Sequence, residues 1–150
     1  MKKALIVGVT AAVVFVLVGA AIAAAKPAAR PATVTTARTG LGQIIVDGRG
    51  RSLYLFEKDT HGRSACSGLC TTYWPPLLTN GKSMAIKGAK PSLLGSVRRA
   101  DGSRQVSYAG HPLYFFSGDT GRGQTNGEGL KDFGGGWYVL APSGKKIDRD

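Results

Sequence analysis

The chain contains an internal repeat, and this repeat limits how it can fold. Gly50–Thr60 reads GRSLYLFEKDT, and sixty residues later Gly110–Thr120 reads GHPLYFFSGDT, with six of eleven positions identical. At an offset of 63, WPPLLTNGK from Trp74 aligns with WYVLAPSGK from Trp137. Each copy is therefore about 45 residues long. Repetition at this length marks one supersecondary unit that is used twice.

The repeated unit predicts β structure. At the offset of sixty the alignment extends backwards and pairs Ile45 with Gln105 and Arg38 with Arg98. Short segments rich in aromatic and β-branched residues end at turn residues, as in QIIVDGRG and RQVSYAG. PSLLG is long enough for one short helical turn. We therefore predict an all-β fold, in which two tandem pseudo-symmetric repeats of short antiparallel strands form one compact sandwich- or barrel-like domain. Each half would bury its LYLF or LYFF segment against the other.

The first residues are typical of an exported protein. Two lysines precede an uncharged run from Ala4 to Ala25 that ends in three alanines, which suits a signal peptidase. The run is also long enough to span a bilayer. Residues 1–25 are thus predicted to be either a cleaved signal peptide or an uncleaved N-terminal anchor helix, on a periplasmic, cell-surface or secreted protein. Ala20 stands where a bacterial lipobox requires Cys, which excludes lipid anchoring by this route.

The remaining chain divides by composition. Residues 26–40 are rich in Ala, Pro, Thr and Arg and are predicted to be a linker. Residues 41–150 are predicted to be the β-rich domain, with repeat 1 at about 41–86 and repeat 2 at about 101–148. The sequence does not indicate an oligomeric state.

The chain is strongly basic. From Lys26 onward, 18 Lys and Arg residues stand against 9 Asp and Glu residues, a net charge of +9. Such a charge favours anionic envelope components or a membrane surface as partners. The alternative is a solvated basic surface that aids solubility. Because the basic residues are scattered and no nucleic-acid-binding signature accompanies them, no specific nucleic-acid partner is predicted.

The repeated motifs also resemble a known family. YLFEKD from Tyr54 and YFFSGD from Tyr114 share the pattern Tyr-x-aromatic-x-x-Asp. With the segment SACSGLCTTYWPPLL and the exported N terminus, they resemble the bacterial family of secreted repeats of unknown function, whose members include predicted lipoproteins. The resemblance covers roughly residues 42–148. It implies a tandem-repeat envelope protein and no established activity, and the chain departs from the lipoprotein members at Ala20.

Features present in both copies are explained most simply by the shared fold. They are Tyr54, Asp59 and Trp74 in the first copy and Tyr114, Asp119 and Trp137 in the second. The tryptophans are predicted core aromatics, and each tyrosine a buried ring whose hydroxyl needs a partner. An Asp before Thr bonds backbone N–H groups of the following loop, so Tyr and Asp are predicted to hold the loop of their own repeat. The alternative is a Ca²⁺ site, which normally needs more carboxylates than the one in DTHGRS or DTGRGQ.

The cysteines occur in one copy only. Cys66 and Cys70 belong to the first repeat, and at the offset of sixty Asn126 stands in the place of Cys66. In an oxidising compartment a local disulfide is the default prediction. The alternative is an extracytoplasmic metal or thiol-redox protein, in which two thiolates bind a soft ion such as copper(I), with His61 or His111 as a third ligand.

No catalytic arrangement stands out. Neither histidine belongs to a Ser-His-Asp or Cys-His pattern, and the carboxylates are scattered. The sequence therefore favours an exported cell-envelope protein with a non-enzymatic binding or structural role at the cell surface and no cofactor. The metal or redox protein that uses the Cys pair is the alternative.

Overall fold

The computed structural model describes residues 30–60 and 62–149, and short strands dominate them, as the all-β prediction required. The elements are β1 (Thr33–Thr39), β2 (Gly42–Asp47), β3 (Tyr54–Phe56), α1 (Cys70–Tyr73), β4 (Met84–Ala85), β5 (Leu94–Arg98), β6 (Arg104–Tyr108), β7 (His111–Pro112) and β8 (Trp137–Val139). A 3₁₀ turn at Pro91–Leu93 lies within PSLLG. The four-residue α1 was not foreseen.

The predicted signal or anchor helix, residues 1–25, lies outside the described residues. Among those that are described, no helix combines the length and apolar character needed to cross a membrane.

The strands form three separate sheets. Their orders are β2-β1-β4, β3-β8 and β5-β6-β7. The hairpins β1–β2 and β5–β6 are the same element in the two copies, with Arg38 opposite Gln43 in one and Arg98 opposite Arg104 in the other. Within the described residues the sheets do not close into a barrel, and β4 runs parallel to β1, which corrects the expectation of antiparallel strands throughout.

The first strand lies inside the predicted linker. Residues 33–39 read TVTTART and form β1, so the linker assigned to residues 26–40 is corrected. β-branched Thr and Val favour the extended chain. Val34 is the one residue of β1 that is fully buried, and this low apolar content concealed the strand in the sequence.

The two repeats interlock instead of standing side by side. β3 of the first repeat pairs with β8 of the second. In the symmetric position, the N–H of Phe115 donates to the carbonyl of Pro75 over 2.8 Å. Between these pairings, Tyr54 and Tyr114 exchange backbone hydrogen bonds of 2.8 and 3.0 Å. A pseudo-two-fold axis therefore passes between the two tyrosines, and each motif segment is buried against the opposite repeat.

The backbone hydrogen bonds show which residues of the two copies are equivalent, and at β2 and β6 the equivalence differs by one residue from the offset of sixty. Leu53 N–H donates to the carbonyl of Ile45, and the equivalent Leu113 N–H donates to that of Val106. Ile45 therefore corresponds to Val106 and not, as the offset of sixty implied, to Gln105. The turn after β2 is one residue longer than its counterpart, and a constant offset cannot follow that insertion.

Candidate functional site

Four aromatic rings stack across the pseudo-two-fold axis. Phe56 lies 4.1 Å from Trp137, Trp137 lies 3.9 Å from Trp74, and Trp74 lies 4.5 Å from Phe116, measured between ring centroids. Both tryptophans are completely buried. Each Trp thus stacks on the Phe of the other repeat, and the structure places both predicted core aromatics at the centre of the domain.

The tyrosines bond the aspartates of the opposite repeat. The hydroxyl of Tyr54 donates to Asp119 Oδ2 over 2.6 Å. The hydroxyl of Tyr114 donates to Asp59 Oδ2 over 2.8 Å. The spacing within each motif predicts that a Tyr holds the loop of its own repeat. The structure corrects this point, because the interlocked strands bring each tyrosine to the other copy's loop.

The aspartates do hold the loops that follow them. Asp59 Oδ1 accepts from the N–H of Ala65 over 2.7 Å, and Asp119 Oδ1 accepts from the N–H of Asn126 over 2.9 Å. These bonds make Asn126 the counterpart of Ala65, one residue before the cysteine. Both oxygens of each carboxylate are therefore engaged by donors of the protein.

Around Asp59 the first copy carries a polar network. Ser64 Oγ lies 2.6 Å from the hydroxyl of Tyr114. Arg99 Nη1 donates to Ser64 Oγ over 2.9 Å and to Gln105 Oε1 over 2.6 Å. Gln105 is fully buried and its amide donates to the carbonyl of Leu113 over 2.8 Å. The network thus fixes the guanidinium of Arg99 beside the Tyr–Asp contact.

The second copy of the Tyr–Asp contact lacks this network. Ile44, the counterpart of Gln105, is a fully buried apolar residue. Thr39 stands where Arg99 does, at the end of β1, and bonds its own turn. Arg99 also donates from Nη2 to the carbonyl of Cys66 over 2.7 Å, so the disulfide loop belongs to the same arrangement. The asymmetry makes the Asp59 side the candidate functional site.

Both partners of the Tyr114–Asp59 contact have raised pKa values. Burial raises the pKa of Asp59 to about 6, against the opposing effects of the Ala65 N–H, the Tyr114 hydroxyl and the Arg99 charge. Burial and the neighbouring Asp59 raise the pKa of Tyr114 as well. The hydroxyl of Tyr114 therefore keeps its proton and donates it to the hydrogen bond with Asp59.

A cleft of about 620 Å³ opens beside the network. Residues between 63 and 71, on and beside the loop that the Cys66–Cys70 disulfide closes, form one wall, and residues 98–101 form the other. Arg63, Arg98 and Arg99 line it together with one carboxylate, Asp101. Within residues 30–60 and 62–149, no ion pair engages the three arginines. We call this the arginine cleft. The basic residues are scattered along the sequence, and Arg63 meets Arg98 and Arg99 only through the fold.

The comparison with family models agrees with the two-fold geometry. A model described as a secreted repeat of unknown function matches residues 35–78 and 95–141, more than half of the chain. The chain belongs to this secreted-repeat family. Each matched segment contains one complete set of Tyr, Asp and Trp. Comparisons with curated proteins and with solved structures gave no match.

Membership of the secreted-repeat family makes this an exported protein, as the N-terminal residues predicted. The location beyond the cytoplasm and the state of the N-terminal run stay predictions.

The structure joins Cys66 and Cys70 in the predicted disulfide. Of the ligands proposed for copper, His61 lies outside the described residues, and His111 opens β7 away from the lining of the arginine cleft. The part of the chain that the structure describes contains no group of three His, Cys, Asp or Glu residues placed to hold a metal ion. The metal alternative thus gains no support from these residues.

Substitutions at the exchanged Tyr–Asp bonds should reveal energetic coupling across the repeats of this secreted-repeat protein. We expect Tyr54→Phe and Asp119→Asn each to lower the free energy of unfolding by about 1–3 kcal/mol, since each leaves a partly buried polar partner unpaired. Denaturant unfolding of the single and double variants should give a coupling energy above about 0.5 kcal/mol.

The matched control is Tyr54→Phe combined with Asp59→Asn, two residues of one motif. We expect these two changes to add, because Asp59 is bonded by Tyr114 and not by Tyr54. Coupling within one motif and additivity across the repeats would contradict the exchanged arrangement.

Proposed function

We propose that this exported protein binds an anionic polymer of the cell envelope through the arginine cleft, in a non-enzymatic role. The observation that carries the proposal is the convergence of three arginines on a cleft with one carboxylate in its lining. Envelope polymers present phosphate or carboxylate groups at regular spacing, and guanidinium groups pair with both through two parallel hydrogen bonds.

Arg99 is already ordered for this task. Its guanidinium donates to Ser64, Gln105 and the carbonyl of Cys66, all of which are neutral acceptors. These bonds fix the side chain and leave its positive charge uncompensated by a direct ion pair among the described residues. A fixed side chain loses little conformational entropy when a ligand binds, which favours affinity.

Arg63 and Arg98 complete the cleft from opposite walls. Both are exposed, and an incoming anion meets them before it reaches Arg99. Arg63 lies three residues before the ring that the Cys66–Cys70 disulfide closes, and Cys66, Ser67 and Gly68 line the cleft beside it. The disulfide therefore restrains the part of the wall next to Arg63.

The distribution of acidic residues supports the same partner. From Thr60 to Ala100 the chain contains six Lys and Arg residues and not one Asp or Glu. This segment therefore attracts polyanions, and the carboxylates near the cleft are Asp59 and Asp101, which stand just before and just after it.

Binding to defined polyanions tests the proposal. We expect the exported protein to bind polyphosphate and polygalacturonate, measured by fluorescence anisotropy of labelled polymer, with an affinity that falls as salt is raised. The double variant Arg63→Gln/Arg98→Gln should bind roughly tenfold more weakly or worse, since it removes two guanidinium contacts.

The control is Arg38→Gln/Arg49→Gln, which removes the same charge at exposed positions outside the cleft. This control should retain affinity within about twofold to threefold, the scale of a diffuse surface charge. An equal loss in both variants would overturn the cleft and leave only general attraction to a basic surface. Salt-independent binding would contradict the electrostatic basis altogether.

A further inference from the structure

The edge strand β4 and the residue after it expose two large apolar side chains. Met84 and Ile86 are 53% and 43% exposed, whereas Ala85 between them packs against the core. The extended pairing includes Ile86, because the N–H groups of Met84 and Ile86 donate to the carbonyls of Ala32, just before β1, and Val34, both over 2.9 Å. Side chains two residues apart on a strand point to the same side. Met84 and Ile86 therefore lie together on the face of this edge strand that is opposite to the core.

Lysines flank this pair. Lys82 and Lys87 are exposed on either side of β4, and Lys90 follows at the next turn. Lys87 has a positive φ of 44°, and its carbonyl accepts the hydroxyl of Thr36 over 2.7 Å, so the turn that carries it is fixed to β1. The chain has no acidic residue from Thr60 to Ala100, so no carboxylate near these lysines in the sequence offsets their charge. We call Lys82, Met84, Ile86, Lys87 and Lys90 the β4 surface.

We propose that the β4 surface docks on an anionic phospholipid bilayer. Apolar side chains that enter the acyl boundary, beside lysines that meet the headgroup phosphates, are the combination that holds proteins at a membrane surface. Charge complementarity distinguishes this occupant from a neutral apolar partner. The surface is separate from the arginine cleft, so the inference does not depend on the proposed polymer binding.

The β4 surface is paired with the start of β1, which follows the uncharged N-terminal run closely in the chain, and this limits its distance from a bilayer if that run is retained there. Thr33, at the start of β1, is paired with Met84. The uncharged run ends at Ala25, and the seven residues from Lys26 to Ala32 span at most about 25 Å when extended. If the run is retained in a bilayer, β4 is confined to that distance from the headgroups. If the run is cleaved, the β4 surface binds by itself.

A fluorophore at one position reports docking whether or not the N-terminal run is present. Because both cysteines form the disulfide, a Met84→Cys variant provides a single free thiol for an environment-sensitive dye. We expect its emission to shift to the blue and to be quenched by brominated lipid on vesicles that contain phosphatidylglycerol. On pure phosphatidylcholine we expect no such response.

The matched control carries the dye at Ser117→Cys, an exposed position on the loop of the second motif. The proposal requires no response there. Equal responses at both positions would mean non-specific adsorption, and no response at Met84→Cys on anionic vesicles would mean that the surface does not dock on lipid. Either result overturns the proposal, and so does a dye at Met84→Cys that responds to an added envelope protein fraction but not to vesicles.

Charge variants separate this surface from the arginine cleft. Lys82→Gln/Lys87→Gln should weaken sedimentation with anionic vesicles by roughly tenfold and leave polyphosphate binding nearly unchanged. Arg63→Gln/Arg98→Gln should weaken polyphosphate binding and leave sedimentation with anionic vesicles nearly unchanged. Loss of vesicle binding in the arginine variant alone would overturn the membrane assignment of β4 without touching the polymer proposal.

Discussion

Neither half of this protein should fold as an isolated monomer. Fragments 30–90 and 91–149 each contain one repeat, but β3 finds its partner strand β8 only in the other fragment. Each fragment also loses the opposite half of the four-ring stack. Each fragment keeps only a three-stranded sheet, β2-β1-β4 or β5-β6-β7, whose apolar face has lost the part of the core that the other fragment supplies. We expect disordered circular dichroism and no cooperative thermal transition for either fragment.

Mixing the fragments should restore the native transition, since all the interlocking contacts then become available. The control is the uncut chain, whose cooperative transition is the reference for the mixture. A fragment that unfolds cooperatively while sedimenting as a monomer would contradict the interlocked arrangement.

Removal of either central tryptophan should have the largest effect of any single substitution. Trp74 and Trp137 are fully buried and stack on one another at 3.9 Å. Truncation of such a side chain to Ala costs about 3–5 kcal/mol. Because small domains are stabilised by only about 5–15 kcal/mol in total, we expect Trp74→Ala or Trp137→Ala to remove a large share of the stability of the domain. Chemical denaturation followed by circular dichroism measures the loss.

The more conservative change to Phe should distinguish the two positions. Trp137 Nε1 donates to the carbonyl of Asp132 over 3.1 Å. Trp74 Nε1 is buried and has no hydrogen-bond partner among the described residues. We therefore expect Trp137→Phe to cost about 1 kcal/mol more than Trp74→Phe, since only the former gives up a hydrogen bond. Equal costs, or a larger cost at Trp74, would contradict this difference.

The local features of the fold were predictable from the sequence, and the long-range pairing was not. Aromatic and β-branched segments between turn residues indicated strands, and the duplication indicated two equivalent halves. These strand segments and this duplication are equally compatible with pairing of the Tyr54 strand within its own repeat and with pairing to a strand of the other repeat. The choice depends on contacts between residues such as Tyr54 and Val139, far apart in the chain, which carry no local signal.

The candidate site was partly foreseen for a related reason. Cys66 and Cys70 were candidate functional residues because the second copy lacks them, and Cys66 lines the cleft. Gln105 and Arg99 also differ from their counterparts, Ile44 and Thr39. The offset of sixty already set Gln105 against an isoleucine, Ile45, so the change from an apolar to a polar residue was visible in the sequence. The contacts of Arg99 with Gln105 and Ser64 were not visible, because they depend on the fold.

The exchange of contacts between the copies has a consequence for how such a chain arises. A chain with a single repeat could make the Tyr–Asp bond and the Trp–Phe stack only with a second identical chain, and every contact would occur twice by symmetry. Fusion of two such chains lifts that constraint, because each copy of a contact can then change independently. The two Tyr–Asp contacts do differ: an arginine, an amide and a disulfide loop surround the contact of Tyr114 with Asp59, and these groups have no equivalent at the contact of Tyr54 with Asp119 among the described residues.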